Sequence, residues 1–169
     1  MKEKFKAHFK SWNCRYFVIF TIISLIITDI INGYYLKLFW SNKGMSQNLV
    51  RQSIAQGGMI IEDFSIDTIN EMTGFVDNTF YFFLFLILVN NLFFYLFYYL
   101  KKLWAQGFIL FYTLTAAIFA LTFIFDDAGL SPAWKVYNVL SIPFYLYLFL
   151  GVKVLKSETT IPAGEKKGR

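Results

Sequence analysis

The chain reads as an all-α integral membrane protein, a four-helix bundle with a short amphipathic helical outer loop between its first two spans. Its 169 residues are 57% hydrophobic and only 16% charged, too little polar surface for an ordinary water-soluble domain. Apolar stretches at residues 16–40, 80–100, 103–125 and 136–155 each approach the ~20 residues an α-helix needs to cross a hydrocarbon core. Backbone groups in lipid must be satisfied within the element, which selects helices for these stretches. The domain plan is therefore a basic terminus (1–15), a membrane domain (16–155) with an outer loop (41–78), and a polar, disordered tail (156–169).

Orientation follows from where the net charge of +5 lies. Lys2, Lys4, Lys6, Lys10 and Arg15 precede the first stretch, Lys101 and Lys102 fill the second connection, and Lys153, Lys156, Lys166, Lys167 and Arg169 close the chain. Lys37, Lys43, Arg51 and Lys135 fall on the other side, with Glu62, Asp63, Asp67, Glu71, Asp77, Asp126 and Asp127. Lysine and arginine bias sets orientation and acids count for little, so both termini are expected in the cytoplasm, and compactness and topology suggest a bacterial inner (plasma) membrane. The basic residues answer to the bilayer, and no nucleic-acid partner is expected.

Residues 1–15 mix lysine with Phe5, Phe9 and Trp12, a pattern suited either to a segment lying on anionic headgroups or to a plain orienting flank. Span one is too long for a signal peptide, and no small-residue cleavage site follows it, so it is expected to stay as an anchor. Within it Thr21, Ser24, Thr28 and Asn32 recur at helical steps with Asp29 beside them, making one side polar. An ionised Asp near mid-membrane costs roughly 2.5–3.5 kcal/mol on insertion scales, so Asp29 is expected to face inward. Asn90 and Asn91 of span two lie at about the same depth, and either amide can hydrogen-bond Asp29.

In the outer loop, Leu49, Val50 and Ile54 predict one short helix after Ser46, broken at Gly57 and Gly58. Ile66, Ile69, Met72, Phe75 and Val76 predict a second, with Thr68 and Glu71 at capping-box spacing. Both are too short to span and are expected on the outer boundary, where the acids offer a surface to an external partner or simply a solvated lid. Span two, rich in Phe and Tyr and without Gly, Ala or Ser, suits lipid or a wide interface with another subunit. The brief connection at Lys101 and Lys102 makes spans two and three a tight hairpin. Span three carries Ala116 and Ala120 at small-xxx-small spacing, with Gly107 and Ala117 as further places for close approach. Asp126, Asp127, Gly129 and Ser131 form an outer turn, Pro132 starts the last helix, and Pro143 is expected to kink it.

Soluble-type catalysis lacks its parts. His8 is the sole histidine and Cys14 the sole cysteine, so metal sites built on His and Cys, Cys–His pairs, Ser–His–Asp triads and internal disulfides cannot be assembled within one chain. No phosphate loop or dinucleotide fingerprint occurs, and no cofactor or metal is expected. Length and layout resemble the lipoprotein signal peptidases, but their Asn-Ala-Asp-like and Gly-Asn-Leu-x-Asp-Arg-like blocks are absent. Asp29 also lacks the second carboxylate that an aspartyl dyad requires, and the assignment is rejected. Short basic ends and a longer first outer loop also resemble the four-span immunity proteins that protect bacteria from pore-forming colicins; this likeness of topology implies recognition of another protein's helices. The expected function is a non-catalytic, membrane-embedded binding or accessory subunit, working in the bilayer as a homo-oligomer or beside a membrane-protein partner. The alternative is a small transporter or channel subunit with Asp29 as its titrating or ion-interacting group.

Overall fold

The structure, a computed structural model, describes residues 2–42, 44–125 and 131–159. Its elements are all helical: α1 (Lys2–Ser11), α2 (Cys14–Asn42), α3 (Met45–Gln56), a 3₁₀ turn (Ile61–Asp63), α4 (Ile66–Tyr99), α5 (Leu103–Phe125) and α6 (Pro132–Thr159). Four of them, α2, α4, α5 and α6, are long and apolar enough to cross a membrane, so the chain is an all-α multi-pass membrane protein on the four-helix plan. The turn expected at Asp126, Asp127 and Gly129 and the tail beyond Thr159 lie outside the described residues.

Local chemistry sets the helix ends. Asn13 Oδ1 accepts the Arg15 N–H at 3.0 Å and caps α2, while Pro132 opens α6 with the Trp134 N–H on Ser131 Oγ at 3.3 Å. At the end of α3, Gly58 takes φ +72°. Its N–H bonds Ala55 O at 3.1 Å and the Met59 N–H bonds Ile54 O at 3.2 Å, completing a Schellman motif. The same motif ends α4 at Lys101, whose φ is 57°, with the Lys101 N–H on Tyr98 O at 2.9 Å and the Lys102 N–H on Phe97 O at 3.0 Å. A left-handed non-glycine residue costs roughly 1–2 kcal/mol, so the backbone alone does not favour lysine there.

One element differs from the sequence expectation. The amphipathic segment at Ile66 to Val76 is not a separate helix but the first third of α4, which runs unbroken for 34 residues, about 51 Å at 1.5 Å per residue against a hydrocarbon core of ~30 Å. Its cap is also earlier than the Thr68–Glu71 pair suggests, because the Thr68 N–H donates to Ser65 Oγ at 3.1 Å. No proline interrupts the segment. Gly74 alone, at ~1 kcal/mol of lost helix propensity, is too weak to stop a helix anchored at both ends.

Contacts divide the chain into two compact units, Met1–Ile26 with Leu92–Arg169, and Ile27–Asn91. The first holds an apolar core in which Phe9, Phe17, Leu25, Ile109 and Leu148 are fully buried. Within it α5 packs along α6, and α1 seats on α6. An aromatic ladder ties the end of α4 to α5, with Phe94 stacked on Phe108 at 3.6 Å between centroids and Trp104 against Phe97 at 4.9 Å. The N-terminal segment binds protein here: Phe9 meets Phe17 at 5.7 Å and Tyr147 at 5.0 Å, and His8 Nε2 lies 3.2 Å from the Tyr147 hydroxyl. The second unit contains the C-terminal part of α2, α3, the 3₁₀ turn and most of α4. Val50 and Ile54 form the buried stripe of α3.

Candidate functional site

The polar side of α2 is turned into the protein. Thr21, Ser24, Thr28 and Asp29 are all buried, and Asn32 is half-buried. Thr21 satisfies itself on its own helix, its hydroxyl donating to Phe17 O at 2.9 Å, the usual solution for a hydroxyl away from water. Asp29 reaches across to another helix. Asn91 Nδ2 donates to Asp29 Oδ2 at 3.1 Å, with both residues more than nine-tenths buried.

The two asparagines of α4 part company at this point. They sit one residue apart, about 100° round the helix, so only one can face α2. Asn91 does; Asn90 is exposed. The sequence places both at a suitable depth, but choosing between them requires the rotation of α4, which depends on its other contacts with α2.

Those contacts form a clasp nearer the other end of the same helix pair. Trp40 stacks flat on Phe80, 4.1 Å between centroids with 6° between planes, and its indole N–H donates to Asp77 Oδ1 at 2.7 Å. Lys37 Nζ stands 5.9 Å from the centre of the Tyr81 ring, within cation–π range. From Asp29 through Lys37 to Trp40, the α4 partners step backward from Asn91 through Tyr81 to Phe80 and Asp77, which makes this an antiparallel pair in one register. Trp40→Phe, which removes the indole bond and part of the stacking on Phe80, is expected to lower stability by roughly 1–2 kcal/mol or more. Thermal unfolding in mild detergent checks this, and Asp77→Asn on the Trp40→Phe background should then add little.

Small residues of α5 pack differently from the simple motif. Ala117 and Ala120 are buried and Ala116 half-buried, whereas a Cβ on Gly107 would have nothing within 4 Å. Close approach instead occurs at Gly151 of α6, where an added Cβ would run into the Phe17 ring. Pro143 lies inside α6 with the helix continuous through it. Further buried polar groups are uncharged: Thr113 donates to Ile109 O at 2.8 Å, Asn138 Nδ2 to Trp134 O at 2.9 Å and Ser141 to Asn138 O at 2.9 Å. Their only signal in the sequence is a polar letter within an apolar run.

Beside the clasp, α3 and the first turns of α4 border an open, mainly apolar groove of about 570 Å³, lined by Val50, Ser53, Glu71, Met72, Phe75 and Val76. Among the described residues no three of His, Cys, Asp and Glu cluster as metal ligands would. The polar centre pairs one carboxyl with one amide across α2 and α4. Comparison with protein-family models, curated proteins and solved structures yields no match for this chain.

Proposed function

We propose that the protein is a non-catalytic subunit of a bacterial inner membrane, with both termini cytoplasmic, that binds other membrane helices through its own. The observation that carries this reading is the uneven burial of the spans. In α4 only 11% of the most apolar window is buried, against 33%, 22% and 39% in α2, α5 and α6. The helix that extends furthest is thus the one least covered by its own chain, and it offers Phe82, Phe83, Phe85 and Ile87 outward. Several polar side chains in the spans bond another helix or their own, as in the Asp29–Asn91 pair and at Thr21, Thr113 and Asn138. Orientation is supported by Lys101, a cation at a backbone position that favours glycine.

Burial of Asp29 is the observation that favours the rival reading, a transporter or channel subunit in which this carboxyl titrates or meets an ion. The two separate cleanly. With a photo-crosslinking residue in place of Phe82, in cells, discrete protein adducts are expected, and Asp29→Asn should leave them unchanged. Proton or ion flux in reconstituted vesicles that vanishes in Asp29→Asn, with no adducts from α4, would overturn the binding reading.

A further inference from the structure

The unused asparagine of α4 points to a specific partner. Three asparagines in the apolar windows of α4 and α6 meet three different fates. Asn138 bonds its own helix at Trp134 O, Asn91 bonds Asp29, and Asn90 makes no side-chain hydrogen bond among the described residues and is exposed. It lies midway between Asp77 and Lys101 along α4, in the part of the helix that crosses hydrocarbon. An exposed amide there faces lipid tails, which offer no donor or acceptor. Around it, at helical steps of three, four and seven, stand Ile87, Leu86 and Phe83, all exposed. An apolar stripe with one amide at its centre is the pattern by which a buried asparagine sets the register of paired helices.

Resting on the proposal that α4 is a binding helix, we infer that this face is covered by α4 of a second copy of the chain, with Asn90 paired to Asn90. Symmetry singles out that occupant. Two copies inserted with the same orientation are related by a two-fold axis along the membrane normal, which places the same residue of each at the same depth. An asparagine side chain carries both a carbonyl acceptor and an amide donor, so two copies satisfy each other without any other group. A different protein would have to present its own polar residue at that one depth.

Full-length protein in native membranes, with Cys14→Ser removing the only natural thiol and Ile87→Cys marking the face, is treated with a mild oxidant. A disulfide-linked dimer is expected from Ile87→Cys and none from Phe111→Cys on the exposed side of α5. Adding Asn90→Leu should weaken the dimer roughly 3- to 20-fold, the range set by measured interhelical hydrogen bonds in membranes, when association is followed by energy transfer as lipid dilutes the purified protein. Asn90→Gln should restore most of it. Because Asn90 is exposed, Asn90→Leu should leave the unfolding temperature of the detergent-dispersed monomer unchanged. An equal dimer fraction with Leu at position 90, or no dimer at any dilution, overturns the inference. Photo-adducts only to a different protein from a crosslinking residue at Phe83 would overturn it while sustaining α4 as a binding helix, and the absence of any adduct from Phe82 or Phe83 would sink both.

Discussion

Gly151→Ala is expected to lower the stability of the protein by about 3 kcal/mol, the upper part of the usual range for overpacking a core. The added methyl would overlap the Phe17 ring, which is fully buried and can move only by pushing on its neighbours. Phe9 and Trp12 each meet that ring edge-on at 5.7 Å, so its displacement should also loosen α1. Two measurements check this: denaturation in mixed micelles, and protease or hydrogen-exchange protection of residues 7–12. Phe17→Leu on the Gly151→Ala background should recover part of the loss, because the two changes share one space and are not additive. Gly107→Ala is the matched control. Nothing stands within 4 Å of its new methyl, and helix propensity should raise stability by up to about 1 kcal/mol.

Asn91→Leu is expected to cost about 1–2 kcal/mol, since it takes a donor from Asp29 Oδ2 in a place that water does not replenish. Asp29→Leu combined with Asn91→Leu should return close to the original stability, because exchanging both members of a buried polar pair for apolar groups removes the desolvation along with the bond. The double-mutant cycle in mixed micelles gives the coupling directly. A coupling near zero would mean that Asn91 contributes nothing to holding Asp29.

These two cases show how far the residue pattern reaches. Asp29 is legible as inward-facing because a carboxyl in lipid is costly wherever its helix is placed, and the structure buries it. The choice of Asn91 over Asn90 is not legible, since neighbours on a helix differ only in angle. Small residues behave similarly. Gly107 sits in a plausible packing pattern, yet a Cβ there would meet nothing within 4 Å, while Gly151 has no patterned partner and lies against Phe17. A glycine matters to packing only through what stands opposite it, and that residue comes from a helix more than a hundred positions away in the chain.

The continuity of α4 is a related lesson. Ile66 to Val76 and Phe80 to Leu100 look like two objects when each is judged by its own hydropathy, because one is amphipathic and the other wholly apolar. Helical hydrogen bonding, however, is indifferent to that change of environment, and only a strong breaker or an unfavourable exit would end it. Neither occurs before the turn at Lys101, and the Trp40–Asp77 bond holds the helix where it changes character.

What the amino-acid string determined by itself is solvent and secondary structure: four stretches too apolar for water, each of a length that only helices make stable in lipid. Transfer free energy and backbone satisfaction are sums over neighbouring residues, so they can be read locally. Which side chains meet was decided only by tertiary structure: Asn91 with Asp29, Trp40 with Asp77, Gly151 beneath Phe17. Those pairings depend on the rotation and register of whole helices, which are fixed by many distant contacts at once and by no single stretch of sequence.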